Sequence, residues 1–199
     1  MSFSGVLLVI SGPSGVGKGT LCKALLEEVK DLSISVSMTT REPRKGEVDG
    51  KDYFFVSREE FLERVKRNEF VEWAQVYGHY YGTPWSELKN ALEKGRDLVL
   101  EIDTQGAMQI KEKFKEGVFV FILPPSREEL RKRILKRGTE NPDSVKKRLE
   151  NFQEEFKYIF EYDYVVVNDS IPDAVEKIKS IYMAEKCRPH RIIKSWKGE

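Results

Sequence analysis

The sequence predicts an α/β fold in which a parallel β-sheet is flanked by helices. Short apolar segments rich in β-branched residues alternate with longer amphipathic segments, which is typical of repeated β-α-β units. A chain of 199 residues, 40% of them hydrophobic and 11% aromatic, can bury one core of this kind. Two polar stretches interrupt the alternation and indicate insertions into that core.

Strands are expected where apolar residues are continuous, because a strand of a parallel sheet is buried on both faces. Five segments meet this description: Val6–Ile10, Ile34–Met38, Leu98–Ile102, Val118–Leu123 and Tyr164–Val167. Helices are expected between them. The capping-box pattern predicts two helix starts, Ser57 to Glu60 and Ser126 to Glu129, and Pro84 predicts a third with proline in the first position.

The two polar interruptions divide the chain into three predicted units. Residues 39–82 are rich in Gly, Pro, Tyr and charge, and they are predicted to form an inserted subdomain. Residues 126–158 are predicted to be helical, carry many Arg and Lys residues, and are expected to form a lid. The core would then be assembled from residues 1–38, 83–125 and 159–199.

A glycine-rich loop joins the first predicted strand to the first predicted helix. Its glycines let consecutive backbone N–H groups turn inward, and the helix start adds partial positive charge, so the loop can hold phosphate. Lys18 would reach the terminal phosphates of a nucleotide, and the spacing from Gly12 to Lys18 predicts a triphosphate cradle and a sheet of the P-loop NTPase type. The expected cradle consists of Gly12, Pro13, Ser14, Gly15, Val16, Gly17, Lys18, Gly19 and Thr20.

The metal-binding position of this loop is unusual. The residue after the lysine is usually Ser or Thr, whose hydroxyl can contact Mg²⁺, but here it is Gly19. Thr20 follows one position later. We expect Mg²⁺ to be held mainly by phosphate oxygens and water, with Thr20 as an alternative ligand.

The first insertion contains donors for one more phosphate. Arginine forks bind phosphate oxygens in pairs and a tyrosine hydroxyl can complete the shell. The candidate donors are Ser37, Arg41, Arg44 and Tyr53. A phosphate loop together with two polar insertions predicts a nucleotide-dependent transferase whose acceptor site and lid close over the core.

Further along the chain lie Glu72, Tyr81 and Thr83, and Glu72 is a candidate for reading a base. A lone glutamate is ordinarily a surface acid. Next to guanine it becomes selective, because guanine presents N–H donors at N1 and N2, whereas adenine presents an acceptor at N1 that a carboxylate repels.

Composition limits the partners and the compartment. The formal net charge is +1, from 34 basic and 33 acidic residues, so no global attraction to nucleic acid or to an acidic membrane is expected. Cys22 and Cys187 are far apart, which indicates a reducing compartment. The apolar start is too short for a signal-peptide core or a membrane span, so a cytoplasmic location is expected.

Several of these segments, in this order, resemble the guanylate kinase family, whose members phosphorylate GMP with ATP. The resemblance covers almost the whole chain and rests on GPSGVGKGT, SVSMTTREPRKGEVDGKDYFFV, EFVEWAQVYGHYYGTP, LEIDTQGA, PPS followed by RGTE, and VVVND. It implies ATP and GMP as substrates, dGMP as a further acceptor, and Mg²⁺ bound with ATP. It also implies that 39–82 is the GMP-binding subdomain.

The resemblance assigns roles to individual residues. It implies that the GMP phosphate is held by Ser37, Arg41, Arg44, Tyr53 and Tyr81, and that guanine is read by Glu72, Thr83 and Asp103. Asn168 falls at the family position near the adenine and ribose of ATP. Charge on the transferred phosphoryl group would be stabilised during in-line transfer by Lys18, Arg41 and the lid arginines Arg133, Arg137 and Arg148. One further departure is Glu101, at a position where Asp is common.

Two alternatives remain at this point. Guanylate-kinase-like domains of scaffold proteins bind phosphopeptides in the GMP site without catalysis, but they generally lose the ATP side that is intact here. A related kinase with another acceptor is the second alternative, and the combination of Glu72, Thr83 and Asp103 argues against it. The sequence leaves the oligomeric state open.

Overall fold

A computed structural model describes residues 5–136 and 142–197 of the chain. The described strands are β1 (Leu7–Ser11), β2 (Leu32–Ile34), β3 (Met38–Thr39), β4 (Phe54–Phe55), β5 (Phe70–Val76), β6 (His79–Pro84), β7 (Asp97–Glu101), β8 (Val118–Leu123) and β9 (Tyr164–Val167). The described helices are α1 (Lys18–Glu28), α2 (Arg58–Lys66), α3 (Trp85–Glu93), α4 (Thr104–Lys113), α5 (Arg127–Lys136), α6 (Pro142–Phe156), α7 (Ile171–Lys186) and α8 (Pro189–Lys197).

The central sheet is parallel throughout, in the order β2-β7-β1-β8-β9. This confirms the predicted α/β class. Strand β1 lies in the middle, and its Val9 pairs with Leu100 of β7 and with Phe119 of β8. Because all five strands run the same way, their carboxyl ends meet at one edge, where α/β proteins usually bind ligands.

The core lies on both faces of the central sheet, as the period of two along a strand requires. Every residue of β1 is buried. Leu8 and Ile10 pack in a cluster with α1 and α7, whereas Leu7 and Val9 pack in a second cluster with α3 and α4. Burial on both faces explains why this strand is a continuous apolar run in the sequence.

A second sheet, with the order β4-β3-β6-β5, is formed by residues 38–84. Strands β5 and β6 form an antiparallel hairpin in it. The prediction of one strand over Ile34–Met38 was wrong, because the chain changes sheets within that segment. Ser35 still donates to the Val99 carbonyl in the central sheet, but the next backbone N–H, of Val36, donates to the Glu87 side chain, and Met38 belongs to the second sheet.

The predicted helix starts are partly confirmed. Ser57 accepts from the backbone N–H of Glu60 at 3.1 Å, and Ser126 accepts from that of Glu129 at 3.0 Å. The carboxylates of these two glutamates bind arginines one turn later in their helices. The third start was wrong by one residue, since Pro84 ends β6 and α3 begins at Trp85.

Hydrogen bonds connect the C-terminal helices α7 and α8 to the first described residues of the chain and to the start of β7. Buried Asp97 accepts from Tyr182 and from Lys186 of α7, at 2.5 and 2.7 Å, and from the backbone of Val6. Buried Arg191 of α8 donates to the Gly5 carbonyl at 2.8 Å. In the part of the chain that the structure describes, no helix combines the length and apolar character needed to cross a membrane.

Candidate active site

The phosphate loop lies between the carboxyl end of β1 and the first residue of α1, Lys18. Gly17 has a φ of +97°, which side chains rarely tolerate, and a Cβ there would lie 2.6 Å from the amide nitrogen of Asn168. The ammonium group of Lys18 donates to the carbonyls of Gly12 and, at 3.2 Å, of Pro13. The lysine is therefore folded onto its own loop, at the end of the sheet where its predicted ligand would lie.

Asn168 supports this loop from the end of β9. Its side chain is 4% exposed and donates from Nδ2 to the Val16 carbonyl at 2.8 Å. Its backbone N–H donates to the Leu123 carbonyl at 2.8 Å. The contact described here is with the loop itself, and an approach of Asn168 to adenine or ribose stays a prediction.

Gly19 and Glu101 lie next to each other at the end of the loop where Mg²⁺ binding is predicted. A Cβ on Gly19 would lie 3.3 Å from both carboxylate oxygens of Glu101, so the glutamate occupies the space beside residue 19. Thr20, the alternative predicted metal ligand, is exposed. Among the described residues no group of three or more His, Cys, Asp or Glu side chains could hold a metal ion alone.

Glu72 of β5, Thr83 of β6 and Ser37 just before β3 form a buried polar group in the second sheet. Glu72 is 4% exposed, and its Oε1 accepts from the Thr83 hydroxyl at 2.5 Å. The Ser37 hydroxyl lies 3.3 Å from that of Thr83. Burial raises the pKa of Glu72 to about 7; the Thr83 bond opposes the shift, and the nearby charge of Asp103 adds to it.

Asp103 stands beside this group at the start of α4, where Oδ1 accepts from the backbone N–H of Gly106 at 2.9 Å. A Cβ on Gly106 would collide with the Glu72 carboxylate, so the helix approaches the buried glutamate closely. The sequence-predicted base-reading residues Glu72, Thr83 and Asp103 are thus brought together.

The predicted phosphate subsite is organised around Arg41. Its guanidinium binds both carboxylate oxygens of Glu47 through Nη2, at 2.9 and 3.0 Å, and lies 5.5 Å from the Tyr53 ring centre. The Tyr53 and Tyr81 rings contact edge-on at 6.0 Å. Within the described residues, the buried Nε of Arg41 has no hydrogen-bond partner.

Arg44 is placed differently from the other predicted phosphate donors. Its side chain is exposed, and its backbone N–H donates to Glu47 at 2.7 Å. Glu47 therefore holds the loop that carries both arginines. The structure brings Arg41, Tyr53 and Tyr81 together and leaves the Arg44 side chain at the surface.

The three arginines predicted to belong to a lid differ in what they contact. Arg148 of α6 donates from Nη1 to the Ser14 hydroxyl in the phosphate loop at 3.2 Å, and its guanidinium lies 4.9 Å from the ring centre of Tyr77. Arg133 of α5 is bonded to Glu129 one turn earlier at 3.0 Å. Arg137 lies outside the described residues.

Three residues near the site were not singled out from the sequence: Glu47, Tyr77 and Glu155. Glu155 of α6 has a buried Oε2 without a hydrogen-bond partner among the described residues. Burial raises its pKa to about 7, which the Lys18 charge opposes and the Asp103 charge reinforces. For Tyr77, the signal was the following residue, because Gly78 between two segments of alternating polarity is typical of a hairpin turn. Glu155 stands in a charged helix with nothing to mark it.

Comparison with known proteins decides the family. The family model for guanylate kinase matches residues 4–185. This chain belongs to the guanylate kinase family. A guanylate kinase of Caldanaerobacter subterraneus subsp. tengcongensis is 60% identical over 94% of this chain and 91% of its own length, and one of Clostridium tetani is 57% identical over 94% and 90%.

Solved structures agree with this assignment. The crystal structure of guanylate kinase from Anaplasma phagocytophilum has a TM-score of 0.80 and 40% identity, covering 96% of this chain and 90% of that one. The SH3-kinase fragment of tight junction protein 3 has a TM-score of 0.52 at 11% identity, which shows the shared fold alone. As a guanylate kinase family member with relatives at this identity, the chain is a phosphotransferase, and the non-catalytic alternative is not favoured.

Proposed function

We propose that this chain transfers the γ-phosphoryl group of ATP to GMP, giving ADP and GDP, and that dGMP is a further acceptor. The observation that carries the proposal is the buried Glu72 carboxylate, which lies with Thr83 beside Asp103 near the strand ends that carry the phosphate loop. A buried carboxylate needs donors to stabilise its charge. The base edge of guanine supplies two.

Guanine recognition follows from the acceptor capacity of the Glu72 carboxylate. The Thr83 hydroxyl donates to Oε1, and an ionised carboxylate has about four acceptor positions in all. The N1–H and N2–H groups of guanine would donate to it, which stabilises the ionised form at neutral pH. Adenine would present its N1 acceptor to the same oxygens, leaving a buried charge unpaired, and this mismatch can discriminate by about 10⁴-fold or more.

The acceptor phosphate would bind around Arg41. The unpaired Nε of Arg41 offers a donor in a buried position, and the Tyr53 ring lies beside the guanidinium and contacts the Tyr81 ring, so both tyrosines could add a hydroxyl donor. Glu47 would then keep the guanidinium in place from the opposite side. The second pKa of a phosphate monoester is about 6, so the attacking oxygen is already ionised at neutral pH and no side-chain base is needed.

The donor phosphates would bind in the loop from Gly12 to Thr20. Lys18 would exchange the Gly12 and Pro13 carbonyls for phosphate oxygens. Arg148, already at Ser14, would neutralise charge on the transferred group, and Arg133 and Arg137 are proposed to join it. Mg²⁺ bound with ATP would supply further positive charge at the phosphates, and Glu101 and Thr20 are the side chains that could hold it there.

We further propose the division into a core, a GMP-binding subdomain of residues 39–82 and a lid of residues 126–158, with closure when both nucleotides are bound. ATP and GMP are the proposed partners, with neither nucleic acid nor membrane among them. The cytoplasmic location stays a prediction.

The test is a coupled assay of ADP release with GMP, dGMP, AMP, CMP and UMP as acceptors. We expect GMP to exceed AMP by about 10⁴-fold in kcat/KM, with dGMP close to GMP. Preference for another monophosphate would support the related-kinase alternative. Tight GMP binding without turnover would support the non-catalytic one.

A further inference from the structure

The tip of the β5–β6 hairpin has an unexpected residue. The two strands are joined by Tyr77 and Gly78, with φ values of +51° and +87°. A two-residue turn with positive φ at both positions strongly favours Asn or Asp before Gly, because a larger side chain is strained in the left-handed region. A tyrosine at the first position is therefore locally unfavourable, and such exceptions concentrate at functional sites.

The aromatic packing of the hairpin on α2 involves residues other than Tyr77. Its attachment to α2 is made by neighbouring aromatic residues, with Phe61 stacked on Phe70 at 4.5 Å and on Tyr80 at 5.4 Å. Tyr77 instead faces the lid, where the Arg148 guanidinium lies 4.9 Å from its ring centre. A ring face attracts a cation in this arrangement.

Arg148 connects three separate parts of the molecule. It belongs to α6 of the proposed lid, donates to Ser14 of the phosphate loop at 3.2 Å, and lies over Tyr77 of the second sheet. The ring of Tyr77 thus supports the guanidinium from the acceptor side, while Ser14 contacts it from the donor side. Both contacts can exist only when the lid and the hairpin tip lie together over the loop.

We infer that Tyr77 is a positioning residue for phosphoryl transfer, which holds Arg148 over the phosphate loop and thereby links the acceptor subdomain to the lid. The inference rests on the proposed function of Arg148. Since GMP would bind to the sheet that carries Tyr77, and ATP to the loop that Arg148 contacts, each nucleotide should strengthen the binding of the other through this contact. Such coupling is reciprocal.

The experiment compares Tyr77→Phe, which keeps the ring, with Tyr77→Asn, which suits the turn and removes the ring. His79→Ala, an exposed residue at the same hairpin tip, is the matched control. Thermal unfolding is measured without ligand. The Kd of GMP is measured by calorimetry with and without a non-hydrolysable ATP analogue, and kcat and KM are measured for each variant.

We expect Tyr77→Asn to raise the Tm by about 2–4 °C, because the turn strain is relieved. The same variant should lower kcat about 5- to 30-fold, reduce the coupling between the two ligands by at least about 5-fold, and leave the Kd of GMP alone within about 2-fold. Tyr77→Phe and His79→Ala should behave as the parent does. In an Arg148→Ala background, Tyr77→Asn should have no further effect on kcat or coupling and should keep its Tm gain.

Three results would overturn the inference: unchanged coupling in Tyr77→Asn, an equal loss of kcat in Tyr77→Phe and Tyr77→Asn, or an undiminished effect of Tyr77→Asn after Arg148→Ala. Failure of the proposed function is recognised separately. In that case the parent itself would fail to bind GMP or to turn it over.

Discussion

Replacing Glu72 by Gln tests the base-reading site through stability as well as activity. The pKa of Glu72 is raised by burial from its ordinary 4.5 to about 7, a difference of about 2.5 pH units. At about 1.4 kcal/mol per unit, the ionised side chain destabilises the ligand-free fold by about 3 kcal/mol. Glutamine has nearly the same shape and carries no charge.

The sign of the pH dependence follows from proton binding. Between pH 4.5 and 7 the folded protein holds the Glu72 proton and the unfolded chain does not, so this group's contribution to stability falls as pH rises. Above pH 7 the whole contribution has been lost. Glu72→Gln should therefore be more stable than the parent at pH 8, by up to about 3 kcal/mol or about 6–12 °C in Tm, and should show little advantage at pH 4.5.

Binding should change in the opposite direction. The amide donor of glutamine would face an N–H of guanine, which should cost about 2–4 kcal/mol of GMP binding and transition-state stabilisation. Guanosine is the ligand for this test because it lacks the phosphate, which titrates in the same pH range. Its affinity for the parent should increase as pH rises from 6 to 7, whereas its affinity for Glu72→Gln should not change with pH. AMP turnover, already poor, should change little.

The assays are thermal unfolding from pH 4.5 to 8, calorimetry with guanosine, and kcat/KM for GMP and AMP. Glu155→Gln is the required control, because burial raises the pKa of Glu155 to about 7 as well. Glu155→Gln should alter the dependence of stability on pH without changing the ratio of kcat/KM for GMP to that for AMP. An equal loss of GMP and AMP turnover in Glu72→Gln would refute the reasoning and leave Glu72 as a scaffold residue.

Three further predictions concern the loop, the metal end and closure. Lys18→Ala should lower kcat at least about 10²-fold with GMP binding nearly intact, and a kcat within a few-fold of the parent would remove Lys18 from the mechanism. Gly19→Ser should crowd the Glu101 side chain and raise the Mg²⁺ concentration needed for half-maximal ATP binding. Shortening the neighbour with Glu101→Asp in the same protein should lower that concentration again. An identical Mg²⁺ requirement in all variants would contradict the idea that residues 19 and 101 share this space. Small-angle scattering should give a smaller radius of gyration with GMP plus a non-hydrolysable ATP analogue than without ligands, and an unchanged radius at saturation would count against closure.

The central sheet could be predicted because its strands are buried on both faces and are therefore continuous apolar runs. Four of the five predicted strands lie within about one residue of the observed ones. The strand over Ile34–Met38 failed for a tertiary reason, the change of sheets at Val36, where the partner is a side chain 51 positions away. No local pattern carries that information.

The sequence indicated which residues belong to the site but not which of them contact one another. Sequence reasoning selected Glu72 and Thr83, and the fold brings their side chains within 2.5 Å. It did not foresee that Glu47 binds Arg41, because an acidic residue in a charged loop has many possible partners. Likewise, Arg148 was expected in the lid, but its contact with Tyr77 depends on how two distant segments meet.

The position of β1 in the middle of the central sheet has a consequence for synthesis of the chain. Its two neighbours, β7 and β8, begin at residues 97 and 118, so the strand that carries the phosphate loop remains without partners while about 90 further residues are made. The hairpin of β5 and β6 needs only adjacent residues and can form long before. During translation the β5–β6 hairpin, on the proposed GMP-binding side, should therefore fold before the central sheet that carries the phosphate loop. A nascent chain that ends before residue 123 should bind no ATP.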